Sequence, residues 1–323
     1  MQRTHRTRLV PLHVYVFLTL VILSLVAKHA ILLRLTSFAV FNEMDDTSPF
    51  NFSVGVRLEP KKQRGVEVLV LVSSMPQEHR LRQQIRSSWA NLSKELSQTV
   101  RVEFVMGRGK TKETQRLHEE HRRHNDLVVL DFDDAYYELP LKTFAMLNYK
   151  AKKYLESKCL VKADIDNVLL LHNYQRLCEE TVAPAILGKC DVPRGVFRNQ
   201  SKWAVPQYVY PFSLYPPYCS TGTYLLVGAK LPKRLVESAL SSQFSTSKNF
   251  RMLPEDVIFT GILSERIGVR RRHVGAMTFS EVPEFVCRNG FRHAYSIHMS
   301  RDKNHVKHHR KLLKVEGTPC GFF

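Results

Sequence analysis

Apolar runs alternate with amphipathic, charged segments through most of this 323-residue chain. The run from Val66 to Val72 is almost entirely apolar and rich in valine, which is typical of a parallel strand buried on both faces. Further strands are predicted at residues 100–106, 126–131, 159–162 and 224–227, and helices at residues 78–90, 111–124, 141–156, 168–180, 231–240 and 255–265. This order predicts an α/β fold in which helices cover a mostly parallel sheet.

Residues 188–217 interrupt the alternation of strands and helices. Proline, tyrosine and tryptophan are frequent in this segment, and we expect it to line a cleft. No internal repeat is visible, and no boundary is sharp enough to divide the chain after residue 65 into two domains.

The N-terminus carries a different pattern, in which basic residues precede a long apolar run. Arginines at positions 3, 6 and 8 are followed by residues 9–27, which are apolar except for His13, Thr19 and Ser24. This length is just sufficient to cross a bilayer, and no small-residue cleavage site follows it. A signal anchor fits these features better than a cleaved signal peptide or a buried hydrophobic helix.

An anchor of this kind divides the chain into four parts. By the positive-inside rule, the arginines keep residues 1–8 in the cytoplasm as a short tail, while the chain after the span enters the lumen. Residues 9–27 are then the transmembrane segment, and residues 28–64, which become polar and contain two prolines, are predicted to form a stem. Residues 65–323 form the lumenal domain, so the topology is single-pass type II.

Glycosylation sequons and cysteines agree with a lumenal domain. The sequons begin at Asn51, Asn91 and Asn199, although each tripeptide is a weak signal by itself. All six cysteines follow the apolar span, where an oxidising lumen permits disulfides. Their pairing cannot be derived from the sequence, and the absence of any CxxC pair argues against a zinc site.

The net charge of +18 indicates a surface that attracts anions. Nucleic acid, anionic lipid, a sugar nucleotide and an acidic glycan all satisfy this condition, so charge alone does not choose among them. The basic residues show no repeated register with interleaved aromatics, which a base-reading surface would need. Together with the lumenal topology, this argues against a nucleic-acid partner.

The strongest candidate for chemistry is an acidic pair, Asp164 and Asp166, on either side of Ile165. The pair follows a predicted buried strand, and ligands of open α/β sheets gather beyond the carboxyl ends of strands. Two carboxylates at this spacing can jointly hold a divalent cation, which neutralises the phosphates of a nucleoside diphosphate leaving group. An ordinary turn is the alternative, since aspartate is frequent in turns.

Five segments in the correct order resemble the β1,3-glycosyltransferase family, the glycosyltransferase family 31 type that transfers galactose or N-acetylglucosamine. They are Arg82-Gln-Gln-Ile-Arg-Ser-Ser-Trp89, Asp131-Phe-Asp-Asp-Ala-Tyr-Tyr-Glu-Leu-Pro-Leu-Lys-Thr143, Val161-Lys-Ala-Asp-Ile-Asp166, Tyr215-Pro-Pro-Tyr-Cys219, and Glu255-Asp-Val257 with Gly261. The resemblance spans roughly residues 66–300 and is far more specific than any one motif. It implies a GT-A fold, a UDP-sugar donor, inversion at the anomeric carbon and a Golgi membrane location.

The resemblance also implies roles around the cation. Manganese (Mn²⁺), or another divalent cation, would be held by Asp164 and Asp166, with His298 completing the metal shell as the family's late histidine. Inversion by direct displacement needs one general base, for which Asp256 is the first choice and Glu255 the reserve. The alternative interpretation of Glu255 and Asp256 is structural, since acidic residues favour the start of a helix.

Donor-binding residues are carried over in the same way. Arg82 and Arg86 lie four apart on a predicted helix, so both face one way and would reach the nucleotide end of the cleft. Arg82 could also be purely structural. Asp131, Lys142 and Asp164 are the other predicted donor-pocket residues. Trp89 is interpreted as a core residue.

Two departures from the family pattern bear on activity. Ile165 replaces a common middle aspartate, and Cys219-Ser-Thr-Gly-Thr-Tyr224 lacks the glycines that usually flank the threonine. We predict galactose transfer from UDP-galactose to a glycan on a protein, lipid or proteoglycan. UDP-GlcNAc as donor and a catalytically silent, glycan-binding role are the alternatives. Association with itself or with other transferases stays open.

Overall fold

The fold is described from a computed structural model, which covers residues 16–28, 54–91, 99–190, 194–199, 202–241 and 252–321. The predicted cytoplasmic tail, the first residues of the predicted span and the sequon at Asn51 lie outside these ranges. Residues 16–28 form helix α1. Across the described ranges, no helix combines the length and apolarity needed to cross a membrane.

The centre of the fold is an eight-stranded sheet with the order β1-β4-β3-β2-β5-β8-β7-β9. Its strands are β1 (Val56–Leu58), β2 (Val68–Ser73), β3 (Val100–Arg108), β4 (Leu127–Asp133), β5 (Cys159–Asp164), β7 (Ala185–Cys190), β8 (Cys219–Val227) and β9 (Arg270–His273). β4, β3, β2 and β5 are mutually parallel, and β7 is parallel to β9. β1 and β8 pair antiparallel with their neighbours. The predicted α/β class with a mostly parallel sheet is confirmed.

Helices cover both faces of the sheet. They are α2 (His79–Arg86), α3 (Thr111–His124), α4 (Leu139–Lys153), α5 (Leu171–Glu180), α6 (Leu231–Leu240), α7 (residues 255–266, π-helical over Val257–Ile262) and α8 (His305–Val315). The strand β2 shows how the two faces arise. Its residues Val68, Val70 and Val72 pack in one core with α2, α3, α5 and α8, while Leu69 and Leu71 pack in the other with α4, α6 and α7. Burial on both faces therefore explains its continuous apolar sequence.

Several predicted boundaries are wrong, because distant pairing decides them. The predicted helix 168–180 begins with a strand, β6 (Asn167–Leu169), which pairs with β12 (Ser296–His298). The start of the segment 188–217 belongs to β7, and β8 begins five residues earlier than predicted, opposite that strand. A small hairpin of β10 (Val286–Arg288) and β11 (Phe291–His293) was not predicted.

Three disulfides pair all six cysteines, which the sequence left unassigned. Cys159–Cys178 joins β5 to α5, and Cys190–Cys219 joins directly opposed residues of β7 and β8. Cys287–Cys320 joins the β10–β11 hairpin to the segment after α8. Two of the bridges thus connect to β5 or β8, the adjacent strands that carry the acidic pair and its neighbouring loop.

Candidate active site

The parallel strands end at one edge of the sheet, where the acidic turn lies. β5 ends at Asp164, and residues 164–166 turn the chain into β6. The antiparallel pairing of β12 with β6 places His298 opposite Asn167, next to the turn. Helix α7 brings Glu255 and Asp256 to the same region. The charge of Glu255 raises the pKa of Asp164, and the charge of Asp164 in turn raises the pKa of Asp256.

Asp166 and His298 form a pair suited to a divalent cation. Their Oδ1 and Nε2 atoms are 3.5 Å apart, and this buried Oδ1 has no hydrogen-bond donor. Burial would raise the pKa of Asp166, but the imidazole of His298 holds it below its usual value. The same contact raises the pKa of His298. An unsatisfied carboxylate oxygen beside an imidazole nitrogen would be a suitable pair of ligands for manganese.

Asp164 does not join that pair. Its Oδ1 lies 2.7 Å from Nζ of Lys162, and its Oδ2 lies against Gly222, where a Cβ atom would come within 2.4 Å. Burial and the nearby charges of Glu255 and Asp166 raise its pKa to about 6, despite the opposing effect of Lys162. Within the described part of the chain, no cluster of three potential metal ligands forms. The structure therefore brings together two of the three predicted ligands.

Lys162 is a central residue that sequence reasoning missed. Its buried Nζ donates to Asp164 and to Glu255, whose carboxylate also accepts from Thr143 Oγ1 at 3.1 Å. Burial opposes the charge of Lys162, but the two carboxylates hold its pKa above its ordinary value. A lysine at a fully buried strand position was the available signal. Because the carboxylate of Glu255 is paired with Lys162, Glu255 is less suited than Asp256 to act as the general base.

Replacing Lys162 with methionine should lower the free energy of unfolding by about 3–5 kcal/mol, because Glu255 would remain buried without its cation. Urea unfolding followed by circular dichroism measures this change. Lys233→Met is the matched control, since its pair with Glu237 is exposed and contributes less than about 1 kcal/mol. Equal losses in the two variants would contradict the assignment of Lys162 as the centre of a buried network.

The two departures from the family pattern have different structural consequences. Ile165 is buried among apolar residues, so the middle side chain of the turn packs into the core. Thr221, by contrast, has φ +87°, a conformation that a β-branched residue rarely adopts. Its carbonyl accepts from the Asn167 side chain at 3.0 Å, which couples this strained residue to the end of the turn.

Asp256 has the properties of a general base. Its side chain accepts from the backbone N–H of Val257 at 2.9 Å, which fixes it at the start of α7. Burial and the neighbouring charge of Glu255 raise its pKa to about 7. A carboxylate that exchanges protons near neutral pH is matched to base catalysis. The following helix is anchored by Gly261, whose missing Cβ allows Tyr218 to pack closely.

Arg82 and Arg86 are engaged by carboxylates of the protein. Arg82 is fully buried, and its guanidinium donates to Glu120, Ser74 Oγ and the carbonyls of Met75 and Pro76. Arg86 pairs with Asp126 and shares Glu120. Helical spacing predicted their common direction correctly, but carboxylates of the protein occupy that direction. We therefore assign both arginines to the fold and leave them out of the proposed donor pocket.

The predicted donor residues Asp131 and Lys142 are also engaged within the protein. Asp131 is exposed beside the edge strand β1, where it pairs with Arg57 at 2.6 Å. Lys142 is buried and contacts Asp134 at 2.7 Å and the Ser74 carbonyl at 2.9 Å. Asp134, three residues after Asp131 in the same motif, also accepts from the Gly107 N–H at 2.8 Å. The motif thus fixes the ends of β3 and β4, which was not foreseen.

Exposed aromatic residues lie in the neighbourhood of Asp164 and Asp256. The aromatic rim consists of Tyr136, Phe197 and Trp203, whose exposed fractions are 45%, 58% and 48%. Lys202 Nζ lies 4.6 Å from the ring centroid of Trp203 and 5.6 Å from that of Tyr136. Burial, then the charges of Asp256 and Asp164, raise the pKa of Tyr136. The rim therefore adjoins the candidate base.

The sequons are only partly described. Asn91 and Asn199 are exposed, as a glycan acceptor must be, while the residues that follow each of them lie outside the described ranges. Asn51 lies outside them as well. Glycosylation at these positions stays a prediction.

A family model described as Galactosyltransferase matches residues 80–275. Lactosylceramide 1,3-N-acetyl-beta-D-glucosaminyltransferase A of Danio rerio is 31% identical over 242 residues, which cover 70% of this chain and 61% of that protein. This chain thus spans less than two thirds of that relative's length. Beta-1,3-galactosyltransferase 1 of Homo sapiens is 24% identical over 260 residues, covering 78% and 76% respectively.

Among solved structures, the chain is similar to mouse xyloside xylosyltransferase 1 in its apo form. It is 12% identical and covers 72% of this chain and 97% of that one, with a TM-score of 0.40.

Proposed function

Because the chain belongs to the Galactosyltransferase family, and is thereby a hexosyltransferase, we propose that it transfers galactose from UDP-galactose to a glycan in β1,3 linkage. The observation that carries the proposal is the position of Asp256 within electrostatic range of Asp164, which begins the turn that carries Asp166. Burial and nearby charges raise the pKa of Asp256 to about 7, and Asp166 lies beside His298. Base and leaving-group stabiliser are the two functions that direct displacement requires.

In the proposed reaction, Asp256 accepts the proton of the acceptor hydroxyl as that oxygen attacks the anomeric carbon. The bond to UDP breaks on the opposite face of the sugar, so the configuration inverts. Asp166 and His298 would hold the divalent cation, which supplies positive charge to the departing diphosphate. Lys162 holds Asp164 and Glu255 in fixed positions. Each residue acts by binding, orienting or moving one proton.

UDP-GlcNAc is the second candidate donor. The relative from Danio rerio, which is named as an N-acetylglucosaminyltransferase, favours this alternative. The relative from Homo sapiens, named as a galactosyltransferase, favours the first. A GT-A fold, anchoring by residues 9–27 in the Golgi membrane and a lumenal catalytic domain complete the proposal. The predicted anchor and the three disulfides support this location of the protein.

The test is UDP release by the full-length chain in detergent, with manganese, a panel of UDP-sugars and simple glycoside acceptors. Turnover with UDP-galactose and a β1,3 linkage in the product, determined by NMR, would support the proposal. Turnover only with UDP-GlcNAc would establish the second donor. Binding of UDP and manganese without turnover on any acceptor would favour a silent, glycan-binding member of the family.

The aromatic rim is proposed to bind the acceptor, because aromatic faces pack against the apolar faces of sugar rings. Trp203→Ala should raise the acceptor KM about tenfold, or ~1.4 kcal/mol, with little change in kcat. Steady-state kinetics at saturating donor measures this split. Phe291→Ala is the control, since Phe291 is equally exposed, at 48%, on the β10–β11 hairpin. An unchanged acceptor KM in Trp203→Ala would remove the rim from the acceptor site.

A further inference from the structure

His305, the first residue of α8, lies directly behind the acidic turn. Its ring is fully buried and contacts two groups from distant parts of the chain. The indole Nε1 of Trp89 lies 3.1 Å from its Nδ1, and the carbonyl oxygen of Ile165 lies 2.9 Å from its Nε2. Ile165 is the middle residue of the turn that carries Asp164 and Asp166. A histidine of the C-terminal helix therefore touches the turn through its backbone.

The two contacts define the tautomer of His305. An indole N–H can only donate, so Nδ1 must accept and cannot carry a proton. A carbonyl oxygen can only accept, so Nε2 carries the proton and donates it to Ile165. Burial lowers the pKa of His305 to about 4, which keeps the ring neutral and preserves this arrangement. Only one protonation state satisfies both neighbours.

The position of the ring is itself fixed by α2. The backbone N–H of His305 donates to the Gln84 side chain at 3.0 Å, and Trp89 follows the same helix. On the other side of the turn, the Met299 N–H donates to the Asp166 carbonyl at 2.8 Å. Two successive carbonyls of the turn are thus bound from two directions. This leaves the orientation of the peptide between Ile165 and Asp166 little freedom.

We propose that His305 is a positioning residue for the cation-binding turn, which it holds in place by donating its Nε2 proton to the Ile165 carbonyl. The inference rests on the proposed function, in that Asp166 and His298 bind a divalent cation. Rotation of the Ile165 peptide would move the carboxylate of Asp166 away from His298. Groups that orient metal ligands typically change metal affinity by about 10–100-fold when they are removed. His305 is expected to act in this range.

The experiment measures manganese affinity directly, by loss of the free-ion electron paramagnetic resonance signal as full-length protein is added with UDP. His305→Leu should weaken binding at least about tenfold. His305→Gln keeps an N–H donor and should recover part of the loss. His309→Leu is the matched control, because His309 is also buried on α8 and has no hydrogen bond to the turn. Thermal unfolding of each variant separates lost stability from lost affinity.

A weaker manganese affinity in His305→Leu but not in His309→Leu, with recovery in His305→Gln, would support the positioning role. Equal affinities in all folded variants would overturn it, as would equal losses in His305→Leu and His309→Leu. Should His305→Leu fail to fold, the comparison of His305→Gln with unaltered protein decides, since a purely structural histidine would leave the affinity unchanged. No manganese binding by the unaltered protein would overturn both this inference and the proposed cation site. Binding without turnover would count against the proposed reaction alone.

Discussion

Replacing Asp256 with asparagine is expected to lower kcat by about 10²–10⁴-fold while UDP and manganese binding stay unchanged. Asparagine preserves the contact with the Val257 N–H, but its amide cannot accept the proton of the acceptor hydroxyl. Folding should not suffer. Asp256 is half-buried, and a raised pKa means that its ionised form is unfavourable, so removing that charge does not destabilise the folded state at neutral pH. The loss should therefore appear in the chemical step.

Single-turnover kinetics at saturating donor and acceptor measures this loss. Asp133→Asn is the control, because the Asp133 carboxylate is 90% exposed. The unaltered enzyme should also lose activity as the pH falls through about 7, since the base must be unprotonated and its pKa is raised to about that value. Residual activity within threefold of the unaltered enzyme, with the same pH profile, would show that another group is the base.

Replacing Asp166 with asparagine is expected to weaken manganese binding about 100-fold or more, and turnover with it, because a charged ligand would become a neutral one. The structure adds a contrast that the sequence did not predict. Asp164 is paired with Lys162, while Asp166 has an oxygen with no donor. Asp164→Asn should therefore change cation affinity less than Asp166→Asn does.

Isothermal titration with manganese in the presence of UDP compares the two variants directly. The expected order of affinity is unaltered protein, then Asp164→Asn, then Asp166→Asn. Equal losses in both would mean that Asp164 leaves Lys162 and joins the cation when the donor binds. A larger loss in Asp164→Asn would reverse the roles of the two carboxylates.

The strands and most helices could be predicted, because local patterns report burial directly. The β2 run is apolar on both faces, and α6 begins and ends where its amphipathic pattern does. Helix α8 was missed for the opposite reason. Its exposed lysines and arginine make the segment resemble a solvated basic tail, while His305, His308 and His309 are buried. His305 contacts Trp89 and Ile165, which lie more than one hundred residues away. No local pattern distinguishes a buried histidine from an exposed one.

The candidate site shows the same division. The motifs predicted the acidic turn, Asp256 and His298 as site residues. The structure brings Asp166 and His298 together. The partners that fix them could not be predicted, since Lys162 and Glu255 meet only after the chain has folded. For Arg82, spacing along a helix indicated a direction but not that Glu120 of α3 already lies there.

The contacts of His305 also have a consequence for how the protein is made. His305 lies 140 residues beyond Ile165 and 216 beyond Trp89, and the Cys287–Cys320 disulfide forms only after Cys320 has been synthesised. Contacts this distant along the chain form late, because their loop-closure entropy is lost before they contribute stability. A chain truncated before residue 305 would carry all five motifs and still lack the histidine behind its acidic turn. The acidic turn thereby gains its contact with His305 only after residues far beyond the five motifs have been synthesised.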